Sequence, residues 1–237
     1  MKIRILATGS SKFERLIHHW GVSFLIGDDL LFDTFGDPGI LLNNIRKFGV
    51  DTAKIKNIVL SHDDWDHIAG LWYLLQNRPD ITVYICPRFK QELKDRIASF
   101  GARLVEVEPL TEINKDMFSS GQIFASCADR RIFEQALVIK SLNNLTIVTG
   151  CAHPGIINII HTVQKQFQKE KVYSVLGGFH LKDNPDEVNM NIIRELKDAG
   201  ISKIVPMHCT GTRAEKMMRH EFGGRCIKAV EGDSIEL

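Results

Sequence analysis

No stretch of this 237-residue sequence stays apolar for the roughly 18 residues that a membrane-spanning helix needs, and no run of Lys and Arg gathers on it. The first absence predicts no membrane partner. The second removes the electrostatic footprint of a nucleic-acid binder, and thirty basic residues against twenty-nine acidic ones leave no net field for a polyanion. Cysteine is scarce: Cys86, Cys127, Cys151, Cys209 and Cys226 are odd in number, widely spaced and free of any CxxC pair, which argues against a disulfide framework or a zinc finger. The opening Met1 to Leu6 is too short and too soon polar for a signal peptide, so a cytoplasmic protein is expected. No Pro-, Gly- or Ser-rich linker divides the chain, and residues 1–237 are expected to form one domain around a full core.

What is present is β-type patterning with helical patterns between. Strands are expected over Lys2 to Leu6, Val22 to Ile26, Asp29 to Asp33, Asn57 to Leu60, Ile81 to Cys86 and Arg103 to Val107. The pattern restarts over Glu134 to Ile139, Leu145 to Thr149, Lys171 to Leu176, Lys203 to Met207 and Arg225 to Ala229, with helices near Ile156 to Gln168, Pro185 to Ala199 and Thr212 to Glu221. A further helix is expected over Ile68 to Leu75, and Pro109 to Gly121 reads as a surface loop.

Directly after the apolar Ile58-Val59-Leu60 comes Ser61-His62-Asp63-Asp64-Trp65-Asp66-His67. Alternate residues of an extended segment share a side, so His62 and Asp64 can face one metal while Asp66 and His67 face a second. Two adjacent metals can share a water, lower its pKa and clamp the attacking and leaving oxygens. Three more polar clusters follow apolar strands: Thr149-Gly150-Cys151-Ala152-His153-Pro154-Gly155, Gly177-Gly178-Phe179-His180 and Pro206-Met207-His208-Cys209-Thr210-Gly211-Thr212. Strand ends are where α/β proteins present chemistry. His18, His19, His161 and His220 lack this placement and are expected to be structural. Asp33, after Leu31-Phe32, either orients a ligand or caps the helix after Pro38.

The His-x-Asp-x-Asp-His pattern, with Leu31-Phe32-Asp33-Thr34 before it and histidines at later strand ends, resembles the metallo-β-lactamase superfamily. Within it, Thr149 to Ile156, Gly177 to Leu181 and Pro206 to Gly211 look like a subgroup that includes the dihydropterin ribofuranosylaminobenzene phosphate synthases and many bacterial relatives. The resemblance implies an α/β fold, a four-layer αβ/βα sandwich of two mixed sheets with outer helices. It implies one or two divalent metal ions (zinc, manganese or iron), one held by His62, Asp64 and His153 and the other by Asp66, His67 and His208, with a bridging hydroxide as nucleophile. Asp64 stands where the family has a histidine, and Cys151 stands where many members have a bridging aspartate. The carboxylate favours manganese or iron. Cys151 either ligates as a thiolate, which favours zinc, or packs beneath the site.

The leading expectation is therefore a metal-dependent hydrolase acting on an ester, phosphoester or related small-molecule substrate. Asp66 would be ligand and orienter of the water, and His180 a hydrogen-bond donor or general acid near substrate. Thr210, Gly211 and Thr212, opening a helix beside Arg213, are candidate contacts for a phosphorylated substrate, though Thr at a helix start is a common cap. A pterin-type transferase is the alternative, favoured by a large planar pocket lined by Trp65, Phe179 and Phe35, and a metal-poor ligand-binding module is another. Flavodiiron proteins share an acidic residue at the position of Asp64, but their reaction needs an electron-donating flavin domain, and none is expected from this sequence.

Overall fold

The computed structural model describes residues 1–9, 19–127, 130–142 and 144–237, the side chain of residue 127 excepted. Its first half runs β1 (Lys2–Thr8), β2 (Val22–Ile26), β3 (Leu30–Phe32), α1 (Pro38–Lys47), β4 (Asn57–Val59), α2 (Trp65–Ile68), α3 (Leu71–Leu75), β5 (Thr82–Ile85), α4 (Gln91–Ser99) and β6 (Arg103–Glu106). Then come β7 (Thr111–Asn114), β8 (Met117–Ser119), β9 (Ile123–Cys127), β10 (Arg130–Glu134), β11 (Leu137–Ser141) and β12 (Asn144–Thr149). The chain continues through α5 (Ile156–Gln166), β13 (Lys171–Gly178), α6 (Asp186–Asp198), β14 (Lys203–Met207), α7 (Thr212–Phe222) and β15 (Ser234–Glu236).

One sheet has the order β15-β1-β2-β3-β4-β5-β6 and the other β14-β13-β12-β11-β8-β7, with β9 and β10 as a separate hairpin. Each large sheet is mixed: β3 to β6 and β12 to β14 pair parallel, and the remaining pairs are antiparallel. Because side chains alternate along a strand, neighbours serve different layers. Leu30 and Phe32 of β3 join Phe24, Leu137, Leu176 and Val205 between the two sheets. Leu31 points the other way, with Leu41 and Ile45 of α1, Leu71 of α3 and Ile97 of α4. On the far side Val138, Ile147, Val175 and Ile204 pack against α5, α6 and α7 through Ile156, Ile160, Ile193 and Met218. The result is helices, sheet, sheet and helices in four layers. Fully buried aromatic residues such as Phe24 and Phe32, stacked with ring centroids 6.4 Å apart, contribute roughly 1.5–3 kcal/mol each. Among the described residues no helix is long and apolar enough to cross a membrane.

Several expectations change. Pro109 to Gly121 is an edge hairpin, β7 and β8, whose Asp116 turns with φ 62°; its polar sequence is what an exposed sheet edge carries. Arg225 to Ala229 forms no strand: its backbone meets β14 at the Ile204–Cys226 bridge and the Ile227 N–H to Ile204 C=O bond. The expected helix at Ile68 to Leu75 is two short helices broken beside Gly70, where a Cβ would lie 2.3 Å from the Thr34 carbonyl. Asp37, not Asp33, caps α1, accepting the Ile40 N–H at 3.0 Å ahead of Pro38. The expected strand at Glu134 splits, with Glu134 ending β10 and β11 starting at Leu137. β9, β10 and β15 have no counterpart in the sequence reading, and His18 lies outside the described residues.

Candidate metal centre

Parallel neighbours end on one edge of a sheet, and here those edges carry the polar clusters. Asp33 follows β3, Ser61 and His62 follow β4, Cys151 and His153 follow β12, His180 follows β13, and His208 and Cys209 follow β14. Several of these exits are bent into the left-handed region: φ is 56° at Asp33, 59° at Ala152, 52° at His180 and 54° at His208. Such backbone costs of order 1–3 kcal/mol per residue and persists only where the surroundings over-determine it. One such constraint is Gly150, where a Cβ would fall 2.1 Å from Ser61 Oγ and 2.8 Å from Asp33 Oδ2.

The exits bring Asp66, His67, Cys151 and His208 together, all buried, and beside them His62, Cys151 and His153. In the first group His67 Nε2 lies 3.2 Å from Asp66 Oδ2 and 3.4 Å from Cys151 Sγ. His208 Nε2 lies 3.2 Å from the same sulfur and 3.5 Å from Asp66 Oδ2. A tetrahedral ion with zinc-like bond lengths spaces N, O and S ligands about 3.3–3.8 Å apart, so the spacing fits a metal. In the second group His62 Nε2 is buried with no hydrogen-bond partner. A buried ring nitrogen left bare is costly without a ligand of another kind.

Each ligand is held from behind. Asp33 Oδ2 accepts the His67 Nδ1–H at 2.6 Å and the Ser61 hydroxyl at 2.7 Å, while Oδ1 takes the Ser61 N–H at 2.7 Å. Ser61 Oγ also stands 2.8 Å from His62 Nδ1, leaving Nε2 of both rings for the site. Glu134, fully buried, accepts the N–H groups of Cys151 (3.1 Å), Ala152 (2.7 Å) and His153 (2.8 Å) and lies 3.0 Å from His153 Nδ1. The Gly21 N–H reaches His208 Nδ1 at 3.2 Å.

The electrostatics follow from burial against charge. Burial opposes ionisation of Asp66, but His67, His208 and His62 hold its carboxyl well below the usual range. Burial likewise disfavours charge on His67, and Asp66 and Asp33 outweigh it, keeping the imidazole well above its ordinary value. Burial pushes Asp33 up against the pull of His67 and Ser61. His62 is driven well below its ordinary value by burial and then by charged His67, which leaves it neutral. Glu134 stays ionised: burial is overcome by His153 and His62.

The centre opens to a cleft of about 650 Å³ lined by Trp20, Trp65, Arg130, His153, His180 and Lys182 among others. His180 is exposed there, 4.5 Å from the His153 ring, and contact with Cys209 raises its pKa against burial. Phe35 and Phe179, expected in a planar pocket, are buried in the hydrophobic cores instead; Trp20 and Trp65 are the flat walls. Thr210, Gly211 and Thr212 do not line the cleft. Thr210 is buried and accepts the Phe179 N–H at 3.0 Å, so it holds the chain rather than a ligand. Asp64 stands apart from the groups that could hold a metal: its Oδ2 is 3.7 Å from His62 Nε2, and its Oδ1 is ion-paired with Arg130.

The model of the metallo-β-lactamase superfamily matches residues 21–125. Tm1679, a metal-dependent hydrolase of the β-lactamase superfamily, superposes with a TM-score of 0.79 at 29% identity, covering 100% of this chain and 99% of that one. This chain has the metallo-β-lactamase fold. The 7,8-dihydropterin-6-methyl-4-(beta-D-ribofuranosyl)-aminobenzene-5'-phosphate synthase of Methanocaldococcus jannaschii is 29% identical over 248 residues, 85% of this chain and 84% of the synthase. The short form of human tRNase Z, with a TM-score of 0.63 at 13% identity, shares the fold alone.

The metallo-β-lactamase fold places its two sheets so that the exits of β4, β12 and β14 converge, and here Cys151 sits at the convergence, in every group among the described residues that could hold a metal. Sequence reasoning passed over Glu134 and Ser61 as site residues. The one available signal for Glu134 was an acid at the end of an expected buried strand, since no motif surrounds it. Asp33→Asn is expected to weaken metal binding about 10–100-fold, because an amide keeps only one accepting oxygen and its NH2 would confront either the His67 Nδ1–H or the Ser61 N–H, both of which the carboxylate now accepts. Competition with a chelator measures this, and unchanged affinity would show that Asp33 does not orient the ligand.

Proposed function

We propose that the chain is a metal-dependent hydrolase of small, anionic esters or phosphoesters. The observation that carries this reading is the ring of Asp66, His67, Cys151 and His208 at 3.2–3.5 Å contacts, reached from the cleft through Asp66 and Cys151. The ions would be held by that ring and by His62, Cys151 and His153, with Asp64 as a further oxygen donor once it leaves Arg130. When bound, they supply Lewis acidity and a water of lowered pKa. Asp66, kept ionised, would offer its carboxylate both to an ion and to the attacking water. His180 stands over the cleft in position to donate a proton to a leaving group, and Arg130 and Lys182 line the walls where an anionic substrate would rest. The likeness to Tm1679 at 29% identity supports hydrolysis.

A second reading, a transferase acting on a pterin-like ring, is favoured by Trp20 and Trp65 flanking the cleft and by the likeness to the synthase. The two are separated by giving the metal-loaded protein bis(p-nitrophenyl) phosphate. Release of nitrophenol by wild type and its loss in His67→Ala supports hydrolysis; no release from fully loaded wild type overturns it. Metal per chain in wild type and Asp64→His accompanies the assay: about two equivalents in both is expected of a site in which Asp64 is a true ligand.

A further inference from the structure

We propose that Cys151, His180 and Cys209 form an additional, sulfur-rich metal position, open to the cleft, that takes a soft divalent ion such as zinc or cadmium and, when filled, withdraws His180 from proton transfer. The two sulfurs and one imidazole nitrogen all lie within 4.8 Å of one another. A tetrahedral zinc spaces such ligands about 3.5–3.8 Å apart, so closure requires movements of roughly an ångström or less. Both sulfurs are buried yet line the cleft, and His180 is exposed, so three protein ligands would leave the fourth position facing incoming solute.

Backbone hydrogen bonds hold the three strand exits that carry these residues side by side. Phe179 N–H bonds Thr210 Oγ1 at 3.0 Å, and the N–H groups of Leu181 and Lys182 reach the Cys209 carbonyl at 3.2 and 3.3 Å, so His180 is clamped to the turn that carries Cys209. Gly178 N–H bonds the Gly150 carbonyl at 3.1 Å, and Cys209 Sγ donates to the Cys151 carbonyl at 3.4 Å, which laces the third exit to the other two. A side chain at Gly178 would put a Cβ 2.6 Å from Cys209 Sγ; the glycine leaves room for the sulfur. Two thiolates and an imidazole select soft ions, whereas Asp66 with two histidines also accepts harder ones. Since Cys151 belongs to both sets, its thiolate would bridge an ion at the sulfur-rich position and one in the neighbouring ring.

The test is cadmium titration of the metal-stripped full chain, following thiolate-to-cadmium absorption and metal retained per chain, in wild type, Cys209→Ser and His180→Ala. Wild type should retain one more equivalent than Cys209→Ser, whose charge-transfer band should fall to about half, two thiolates having become one. His180→Ala should keep the band but bind that last equivalent at least about tenfold more weakly. Equal stoichiometry and equal band in wild type and Cys209→Ser would overturn the proposal. So would His180→Ala binding cadmium as wild type does, and that variant, on an exposed loop, decides the matter if Cys209→Ser does not fold. Neither readout depends on hydrolysis, so a failure here leaves the functional reading to its own assay.

Discussion

Replacing Cys151 by alanine is expected to strip the chain of most of its bound metal. The sulfur stands 3.4 Å from His67 Nε2 and 3.2 Å from His208 Nε2, and it belongs also to the groups built on His62 and His153 and on His180 and Cys209. Losing one ligand from one ring weakens one site; losing this sulfur weakens every site at once. The lost packing is small, because Cys151 lies at the rim where strand exits meet and not within a helix-facing layer. Elemental analysis against His161→Ala is the measurement, His161 being exposed on α5 and outside every group among the described residues that could hold a metal. Wild-type metal content in Cys151→Ala would sink the assignment of Cys151 as a shared ligand. Cys151→Asp should restore metal and shift its preference from zinc toward manganese or iron, since a hard oxygen replaces a soft sulfur at the same place. The buried thiol is pushed well above its ordinary pKa by burial and by Cys209, so it would become a ligand only by losing its proton to solvent as the ion binds, and metal uptake in wild type should release protons.

The candidate ligands were legible in the sequence because they are local: His62, Asp66 and His67 share one loop, and His153 and His208 each follow an apolar strand. What holds the ligands was harder to read, because it is assembled across the fold. Asp33 meets His67 across 34 positions, and Glu134 reaches Cys151, Ala152 and His153 from a hairpin with no motif. The same holds for Asp64. Its place in the loop reads as a ligand, but Arg130, 66 positions away on β10, competes for the carboxylate. The strand pattern was legible where strands are buried and apolar, as at Val22 to Ile26, which the structure reproduces residue for residue. It failed at the hairpin edges, β7 to β10, where polar side chains face water and period-two hydrophobicity fades.

Glu134→Ala is expected to be the most destabilising single change near the centre, by about 3–5 kcal/mol, the usual cost of breaking one side of a buried charged network. Three backbone N–H groups and the His153 ring converge on this carboxylate, and alanine would leave all of them buried without an acceptor. For a chain of this size that corresponds to a fall in Tm of roughly 6–20 °C. Glu134→Gln separates charge from shape. Its amide oxygen can keep the Cys151 and Ala152 N–H groups now on Oε1, but its NH2 would face the His153 N–H and Nδ1 now on Oε2, donor against donor. The glutamine variant should therefore melt between wild type and alanine, with the loss concentrated at His153 and visible as weaker metal binding. The sign of the pH dependence follows from the same contacts: a carboxyl held below its unfolded range adds stability at neutral pH that drains away as pH falls below about 4, the ordinary Glu range. Glutamine has no such proton to take up, so this part of the acid sensitivity should vanish in Glu134→Gln. Thermal melts across acid pH measure both effects, and an alanine variant as stable as wild type would mean that these N–H groups find other partners.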